Sequence, residues 1–471
     1  MPTASFLESF VTWSRVRPLA PALRWGERSV TYRELAEEVR RLREWVAAGP
    51  LPPGGPVCVL ARKSPKAIAL VLACLGEGHR VLLPPRDLGR STVDELSARS
   101  ACGHVIETDG AELWVRAVPG GHEGAAEPGL LLTTSGSTGV PKIVPLSTGG
   151  VDRFLAWART RFGLGPGGTT LSYAPLNFDL SLLDVWASLS AGGAVELVDA
   201  DQAIDGRHLR SVLERGEITV VQAVPLCYRL LADAVAPGTG FPSVRHVIFT
   251  GEAMPERLLA RTRSLFPAAT SYNLYGCTET NDSFLYEVPP GDPPGPLPIG
   301  HPIAGVETRI VAGELWVSTP FQAEGYLDPG LTGDRWVTAP DGTRFFRTGD
   351  LVHRDERGRV VLTGRADFQV KVRGVRTSLP EVERVIEAHP DVAEAVVLAV
   401  PDDLAGHRLH AVVRPTPDSG LHSLELRRHC AAHLARTAIP DHIDLVGTPL
   451  PRTSTGKVDR SRLLPTAQGR T

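Results

Sequence analysis

Paired cysteine spacing is missing from this chain. Its six cysteines, at positions 58, 74, 102, 227, 277 and 430, are scattered and form no CxxC. That argues against a disulfide framework and predicts reduced thiols in a cytoplasmic protein. A basic segment followed by an apolar core is absent from the N-terminal MPTASFLESFVTWSRVRP, so no signal peptide is expected. Long apolar runs are lacking as well. The longest, AIALVLACLG from Ala67, is too short to cross a bilayer and reads as a buried helix or strand. An excess of one charge is also absent, with 50 basic against 53 acidic residues and a formal charge of -3. Without a basic run or an aromatic-studded basic strip, no nucleic-acid partner is expected, and no membrane partner either. Internal repeats and low-complexity segments are not seen.

What is present is length and alternation. A chain of 471 residues is too long for one ordinary domain, so two are expected. Between about 150 and 275, strands and helices alternate. TLSYAPL reads as a strand, SLLDVWASLSAGG as a helix closed by Gly192 and Gly193, and AVELVD, ITVVQAVP and VRHVIFTG as further strands. GRHLRSVLERG and LCYRLLADAV supply the intervening helices. Such alternation predicts an α/β fold of mostly parallel sheets covered by helices. Upstream, VTYRELAEEVRRLREWV is an amphipathic helix and PVCVLA a buried strand.

After about residue 290 the texture changes. A proline-glycine connection, PPGDPPGPLP, precedes the short β segments GELWVS, RVVLTG and QVKVRG. Beyond 380 the helix PEVERVIEAHP opens on Pro380, a favourable first helical position. The strands EAVVLAV and LHAVVRP and the helix SLELRRHCAAHLARTA complete a compact α+β tail of roughly a hundred residues. The expected boundary lies near GRADFQVK.

The chemistry is concentrated in five stretches. LLLTTSGSTGVPKIVPLS (130–147) breaks from an apolar run into a loop of small hydroxyls and glycines. Its backbone N–H and side-chain O–H groups suit phosphate oxygens, although a plain linker has similar composition. It is not a Walker loop, because Ile143 follows Lys142 where Ser or Thr would be needed to reach magnesium. NLYGCTET (273–280) offers Tyr275 for stacking on a base, Thr278 for phosphate and Glu279 as a hard oxygen ligand for Mg²⁺. RTGDL (347–351) offers Asp350, whose two oxygens suit ribose hydroxyls. GRADFQVKVRG (364–374) gathers Arg365, Asp367 and Lys371 at the boundary, and PRTSTGKVDR (451–460) places Lys457 after a glycine. Singly each has a bland reading: a turn, a charged linker, a solvated lysine.

In this order the five stretches resemble the adenylate-forming superfamily of acyl- and aryl-CoA synthetases, luciferases and adenylation domains, most of all the amino-acid adenylation domains of nonribosomal peptide synthetases. The resemblance runs from VTYREL near residue 30 to TGKVDR at 460. It implies a large N-terminal core, 1–366, with a β-rich subdomain, and a small mobile C-terminal lid, 367–471. It also implies ATP and Mg²⁺. Thr134, Ser135, Gly136, Ser137, Thr138, Gly139 and Lys142 would hold the departing pyrophosphate. Asn273, Tyr275 and Gly276 would border adenine, Asp350 would hold ribose beside Arg365, Glu279 would bind the metal, and Thr278 would contact phosphate. Asp367 matches the hinge. Lys457, the decisive catalytic residue, would bridge the attacking carboxylate and the α-phosphate, since preorganised charge is typically the largest catalytic contribution.

The resemblance places Asp179, in NFDLSLLDVW, against the α-ammonium of an amino-acid substrate. A helix N-cap is the competing reading. Leu180, Leu183, Gln222, Ile248, Thr250, Leu274, Asp282 and Ser283 would line the rest of the pocket. Its polar groups disfavour a large aromatic side chain and favour a small, polar or cationic one. The opening Asp-Leu-Leu is similar to proline-activating relatives, while the later positions are not. Ile143, Thr148, Cys277, Ser378 and Pro380 depart from the usual pattern without removing an assigned group. Fourteen residues follow Lys457, so a separate phosphopantetheinylated carrier protein is the expected acceptor, with coenzyme A as the alternative. A CoA ligase or amide synthetase acting on an aryl, β-amino or other acid is the second reading. An inactive carrier-docking scaffold is the third. The pair His429 and His433 has helical zinc spacing but lacks a third ligand, and a solvated face is expected there.

Overall fold

The structure is a computed structural model describing residues 5–119, 127–134, 141–215, 217–236, 238–291, 296–333, 335–365, 369–402, 405–416, 419–451, 458 and 460–463. The chain divides into two compact units. The first comprises residues 1–86, 97–133 and 143–366; the second comprises 87–96, 134–142 and 367–471.

The first unit is built from helix-covered sheets, as the alternation predicts. Its nine-stranded sheet runs from edge to edge through His301–Pro302, Asn281–Glu287, Thr270–Cys277, His246–Thr250, Val220–Ala223, Thr169–Ser172, Ala194–Leu197, Pro21–Trp25 and Arg28–Thr31. The central pairings are parallel and those at both margins antiparallel. A six-stranded sheet and a five-stranded antiparallel sheet complete the unit. The central strands Thr169–Ser172, Ala194–Leu197 and Val220–Ala223 are buried along their whole length, polar residues such as Thr170, Glu196 and Gln222 included.

Local sequence accounts for several element ends. Thr31 caps Tyr32–Ala48, accepting from the Glu34 backbone while the Glu34 carboxylate accepts from the Thr31 N–H at 2.7 Å. This is a reciprocal cap that satisfies two otherwise orphaned donors. AIALVLACLG resolves as a helix, Pro65–Gly76, with Ser64 capping it and Pro65 opening it. Almost every residue from Pro65 to Leu75 is buried, which is why the stretch has no amphipathic stripe.

Two readings need refining. TLSYAPL is strand only over Thr169–Ser172; Pro175 lacks a ladder donor, and Phe178 N–H turns back to its carbonyl at 3.1 Å. SLLDVWASLSAGG begins as a π-helix, Leu182–Ala187, and becomes α-helical only at Ser188–Ser190. Gly192 then closes it at φ +81°, where a Cβ would collide with the Trp13 ring. A π-turn places an extra residue in the helix and is frequent at functional sites.

The second unit has its own core of Val382, Ile386, Val397, Leu409, Ala411, Val413 and Leu426. Helices Leu379–Glu387 and Ser423–His433 pack with the strands Val392–Asp402, Gly406–Pro415 and His442–Leu445. A hairpin, Gln369–Val372 with Val375–Ser378, precedes them. Among the described residues, no helix is long and apolar enough to cross a membrane.

Candidate active site

Three adjoining strands of the large sheet collect four of the pocket residues named above. Gln222 lies in register with Ile248, and Thr250 with Leu274. Ile248 and Thr250 are two apart on one strand, so all four side chains share one face. Leu183, from the π-helical turn, joins Ile248 and Leu274 in a single apolar cluster. Gln222 is 1 % exposed. Its Nε2 donates to the Leu180 carbonyl at 3.2 Å, while its Oε1 has no hydrogen-bond partner among the described residues. A buried amide oxygen left that way carries a desolvation cost that a donor on a ligand would remove.

The strand Thr270–Cys277 turns at Cys277–Thr280 and returns as Asn281–Glu287. Asn281 takes the left-handed conformation, φ +58°, that Asn tolerates better than most side chains. Gly276 sits opposite Asp282, and a Cβ there would collide with the Asn281 carbonyl. NLYGCTET is therefore a tight hairpin corner, and its corner presents Thr278 and Glu279. Thr278 Oγ1 donates to Asp179 Oδ2 at 3.0 Å. The Ser181 hydroxyl, two residues on from Asp179, donates to the Leu176 carbonyl at 3.1 Å. Glu279 is buried, and the Tyr326 hydroxyl donates to its Oε1 at 2.7 Å. Ser283 Oγ donates to the Tyr275 carbonyl at 3.4 Å.

A second group forms around Asp350. In the five-stranded sheet, Asp350 on Arg344–Arg354 pairs directly across from Arg365 on Val360–Arg365. One Asp350 oxygen accepts from the Arg365 guanidinium and the other from the Tyr275 hydroxyl. Arg365 Nη2 also donates to the Thr348 carbonyl at 3.0 Å, and Thr348 Oγ1 accepts from the Asp350 N–H at 3.0 Å. The Tyr275 ring is buried edge-on against Phe284, with centroids 5.9 Å apart. Burial, reinforced by the Asp350 carboxylate, pushes its hydroxyl well above the usual phenol range, so it remains a donor. Asn273 Nδ2 donates to the Pro298 carbonyl at 2.8 Å.

Elsewhere, Thr134 ends the strand Gly129–Thr134 and Lys142 opens Lys142–Ser147. The hydroxyls of Thr133 and Thr134 are buried without a hydrogen-bond partner among the described residues. Lys142 lies within electrostatic reach of Glu381, and both belong to the second unit. Ser135, Gly136, Ser137, Thr138, Gly139, Asp367 and Lys457 lie outside the described residues. Sequence reasoning missed Tyr326 and Thr348. Thr348 sits inside the quoted RTGDL, whereas nothing local to Tyr326 announces that it reaches Glu279, 47 positions away.

Carboxylates and hydroxyls thus collect at an antiparallel hairpin corner and on the five-stranded antiparallel sheet. The family described as AMP-binding enzyme matches residues 116–327, and its C-terminal domain matches 381–457. An L-proline–[L-prolyl-carrier protein] ligase of Streptomyces coelicolor is 37% identical, covering 71% of this chain and 65% of that protein. Its counterpart from Pseudomonas fluorescens is 35% identical, over 72% of this chain and 68% of that one. The chain thus spans about two thirds of the length of these relatives. Among solved structures, the Vibrio cholerae adenylation domain AlmE, in complex with glycyl-adenosine-5'-phosphate, superposes with a TM-score of 0.83. It is 20% identical and covers 98% of this chain and 97% of that one, a likeness of fold. The chain belongs to the AMP-binding enzyme family.

Proposed function

We propose that the protein activates an α-amino acid with ATP and passes it to the phosphopantetheine thiol of a separate carrier protein. The observation that carries this reading is the Asp179–Thr278 contact, which holds a carboxylate beside the hairpin corner that bears Glu279. A half-buried carboxylate held at this corner is a suitable acceptor for a substrate ammonium. The carrier-protein ligases among its relatives support the same acceptor.

In the first step a carboxylate oxygen attacks the α-phosphorus of ATP. The new P–O bond forms as the bond to the β-phosphate breaks, and pyrophosphate departs. Lys457, inside the matched C-terminal stretch, offsets the repulsion between the two anions. Asp350, already oriented by Tyr275 and Arg365, retains lone pairs for ribose hydroxyls. Thr133 and Thr134 bring buried hydroxyls with no partner among the described residues, which fits an anion at the adjoining loop. Glu279, a buried carboxylate, would hold Mg²⁺ there. The ion would neutralise phosphate charge. In the second step the thiol sulfur attacks the acyl carbonyl, AMP leaves with the acyl–oxygen electron pair, and the thiol proton is released. The free state of all six cysteines fits a reducing, cytoplasmic setting.

ATP–pyrophosphate exchange over amino, aryl and fatty acids tests the reading. Exchange with amino acids is the expected result. Exchange with aryl or fatty acids alone would overturn it and favour a CoA ligase or amide synthetase.

A further inference from the structure

Lys63 belongs to none of the motifs above, yet it is buried, at 6 % exposure, behind the pocket. It follows the strand Val57–Ala61 and precedes the cap of helix Pro65–Gly76. Its Nζ contacts three successive carbonyls: Ser172 at 2.6 Å, Tyr173 at 3.2 Å and Ala174 at 2.9 Å. The Ser172 hydroxyl lies 3.4 Å away.

The Ser172 carbonyl also accepts from the Val198 N–H at 3.2 Å, whereas those of Tyr173 and Ala174 follow the end of the strand Thr169–Ser172. Backbone acceptors buried at such a place need donors from elsewhere. Ser172 is in register with Gln222 on the next strand, so its side chain shares the face that carries Gln222, Ile248, Thr250 and Leu274. The chain then leaves the sheet and turns at Pro175–Phe178. Seven residues beyond Ser172 it delivers Asp179. Asp179 is held from the far side by Thr278. Lys63 holds the start of the same segment, at Ser172–Ala174.

We propose that Lys63 is a positioning residue for amine recognition. By gathering the carbonyls of Ser172, Tyr173 and Ala174, it fixes the segment that presents Asp179 to the substrate ammonium. The proposal rests on the reading of Asp179 as the ammonium's counter-charge.

An ammonium has three donors in a compact head and matches three converging carbonyls. A buried cation also needs negative charge nearby. Asp199 supplies it, while burial holds the Asp184 carboxyl, on the π-helical turn just after Asp179, well above the usual carboxylate range and pulls the Lys63 ammonium down to about 7. Asp184 is completely buried, and neither of its oxygens has a hydrogen-bond partner among the described residues. Asp199 is shared with Arg62 at 3.1 Å and with the Trp25 indole N–H at 3.0 Å. Lys63 thus gathers the strand end, Ser172–Ala174, from which the chain runs on to Asp179. Losing its donors would loosen where the Asp179 carboxylate sits while leaving the carboxylate itself in place.

The test compares wild type, Lys63→Met, Lys63→Gln and Lys63→Arg in pyrophosphate exchange. The probe is whichever proteinogenic amino acid, or D-alanine, exchanges fastest in the wild type, paired with the carboxylic acid of the same skeleton lacking the amine. The readout is the ratio of kcat/KM for the two acids, together with the KM for ATP. Wild type should prefer the amino acid strongly. Lys63→Met should narrow that preference about tenfold or more while the KM for ATP changes by less than about twofold, and Lys63→Arg should restore most of it. Lys63→Gln, which keeps two donors, gives a partial narrowing of about threefold and serves if the Met variant does not fold. A wild type that discriminates alongside variants that discriminate equally well would overturn the role of Lys63 alone. A wild type that exchanges both acids equally, or neither, would overturn the Asp179 reading and this proposal with it.

Discussion

Thr278 Oγ1 donates to Asp179 Oδ2 across 3.0 Å and joins segments 99 positions apart. The contact links the hairpin corner that carries Glu279 to the segment that leads from the central sheet into the π-helical turn. Two separate signals in the sequence, NLYGCTET and NFDLSLLDVW, are one object in the fold.

Replacing Asp179 by Asn removes the charge but keeps the size. The KM for the amino acid should rise by about tenfold to a hundredfold, while the KM for ATP stays within about twofold. Thr278→Ala leaves the carboxylate present but less constrained, so a rise of about threefold is expected. Steady-state exchange with each substrate varied in turn checks both. Equal rises in the two KM values would show that the residue supports the whole site and not the amine.

The carboxylate of Asp350 is held on both sides, and the two holds are unequal. Tyr275→Phe removes one hydrogen bond and leaves Arg365 in place. It should raise the KM for ATP by about threefold; Arg365→Ala, which also releases the Thr348 carbonyl, should cost about tenfold. Asp350→Ala should exceed both. Because the Tyr275 hydroxyl titrates well above the usual phenol range, the KM for ATP should show no alkaline limb near pH 10 from this residue.

Lys457→Ala should abolish adenylate formation in practice, with a fall of about a hundredfold to a thousandfold. Thermal melting and circular dichroism should match wild type. Exchange at the wild-type rate in a folded variant would remove Lys457 from the catalytic assignment.

Glu381, in the second unit, is buried, and burial pushes its carboxyl up to about 8 despite the opposing pull of Arg384 and Lys142. The folded state therefore keeps this proton where the unfolded chain has released it. The stabilising contribution is complete below the unfolded carboxyl range, near pH 4, and is lost as pH rises through about 8. Glu381→Gln has no proton to lose. Its melting temperature should fall little between pH 5 and pH 9, while wild type loses about 4–8 °C for each kcal/mol of ionisation cost in a unit of this size. Parallel pH dependence in the two proteins would show that Glu381 does not ionise in this range.

Much of the fold was legible because it rests on local signals. The capping box at Thr31 and Glu34, Pro380 at the start of its helix and the alternation through 150–275 each act over a few residues. Most of the strands and helices read from the sequence appear at or near their expected places. The strand expected over TLSYAPL stops at Ser172, and the helix after Ser181 is π in its first turn. Partners far away meet both stretches: Lys63 Nζ donates to the Tyr173 and Ala174 carbonyls beyond that strand, and Trp13 lies against Gly192 at the end of that helix.

By itself the sequence determined which groups are available: Asp179, Thr278, Glu279, Tyr275, Asp350 and Arg365 are named by their motifs. Only the tertiary structure decided how they are held. It set Arg365 opposite Asp350, put the Tyr275 hydroxyl on that carboxylate, brought Tyr326 to Glu279 and placed Lys63 beneath the segment leading to Asp179. The reason is range. Caps, turns and hydrophobic periods are written within a turn or two of chain, whereas a buried hydrogen bond is set by sheet register and packing between residues separated by tens of positions.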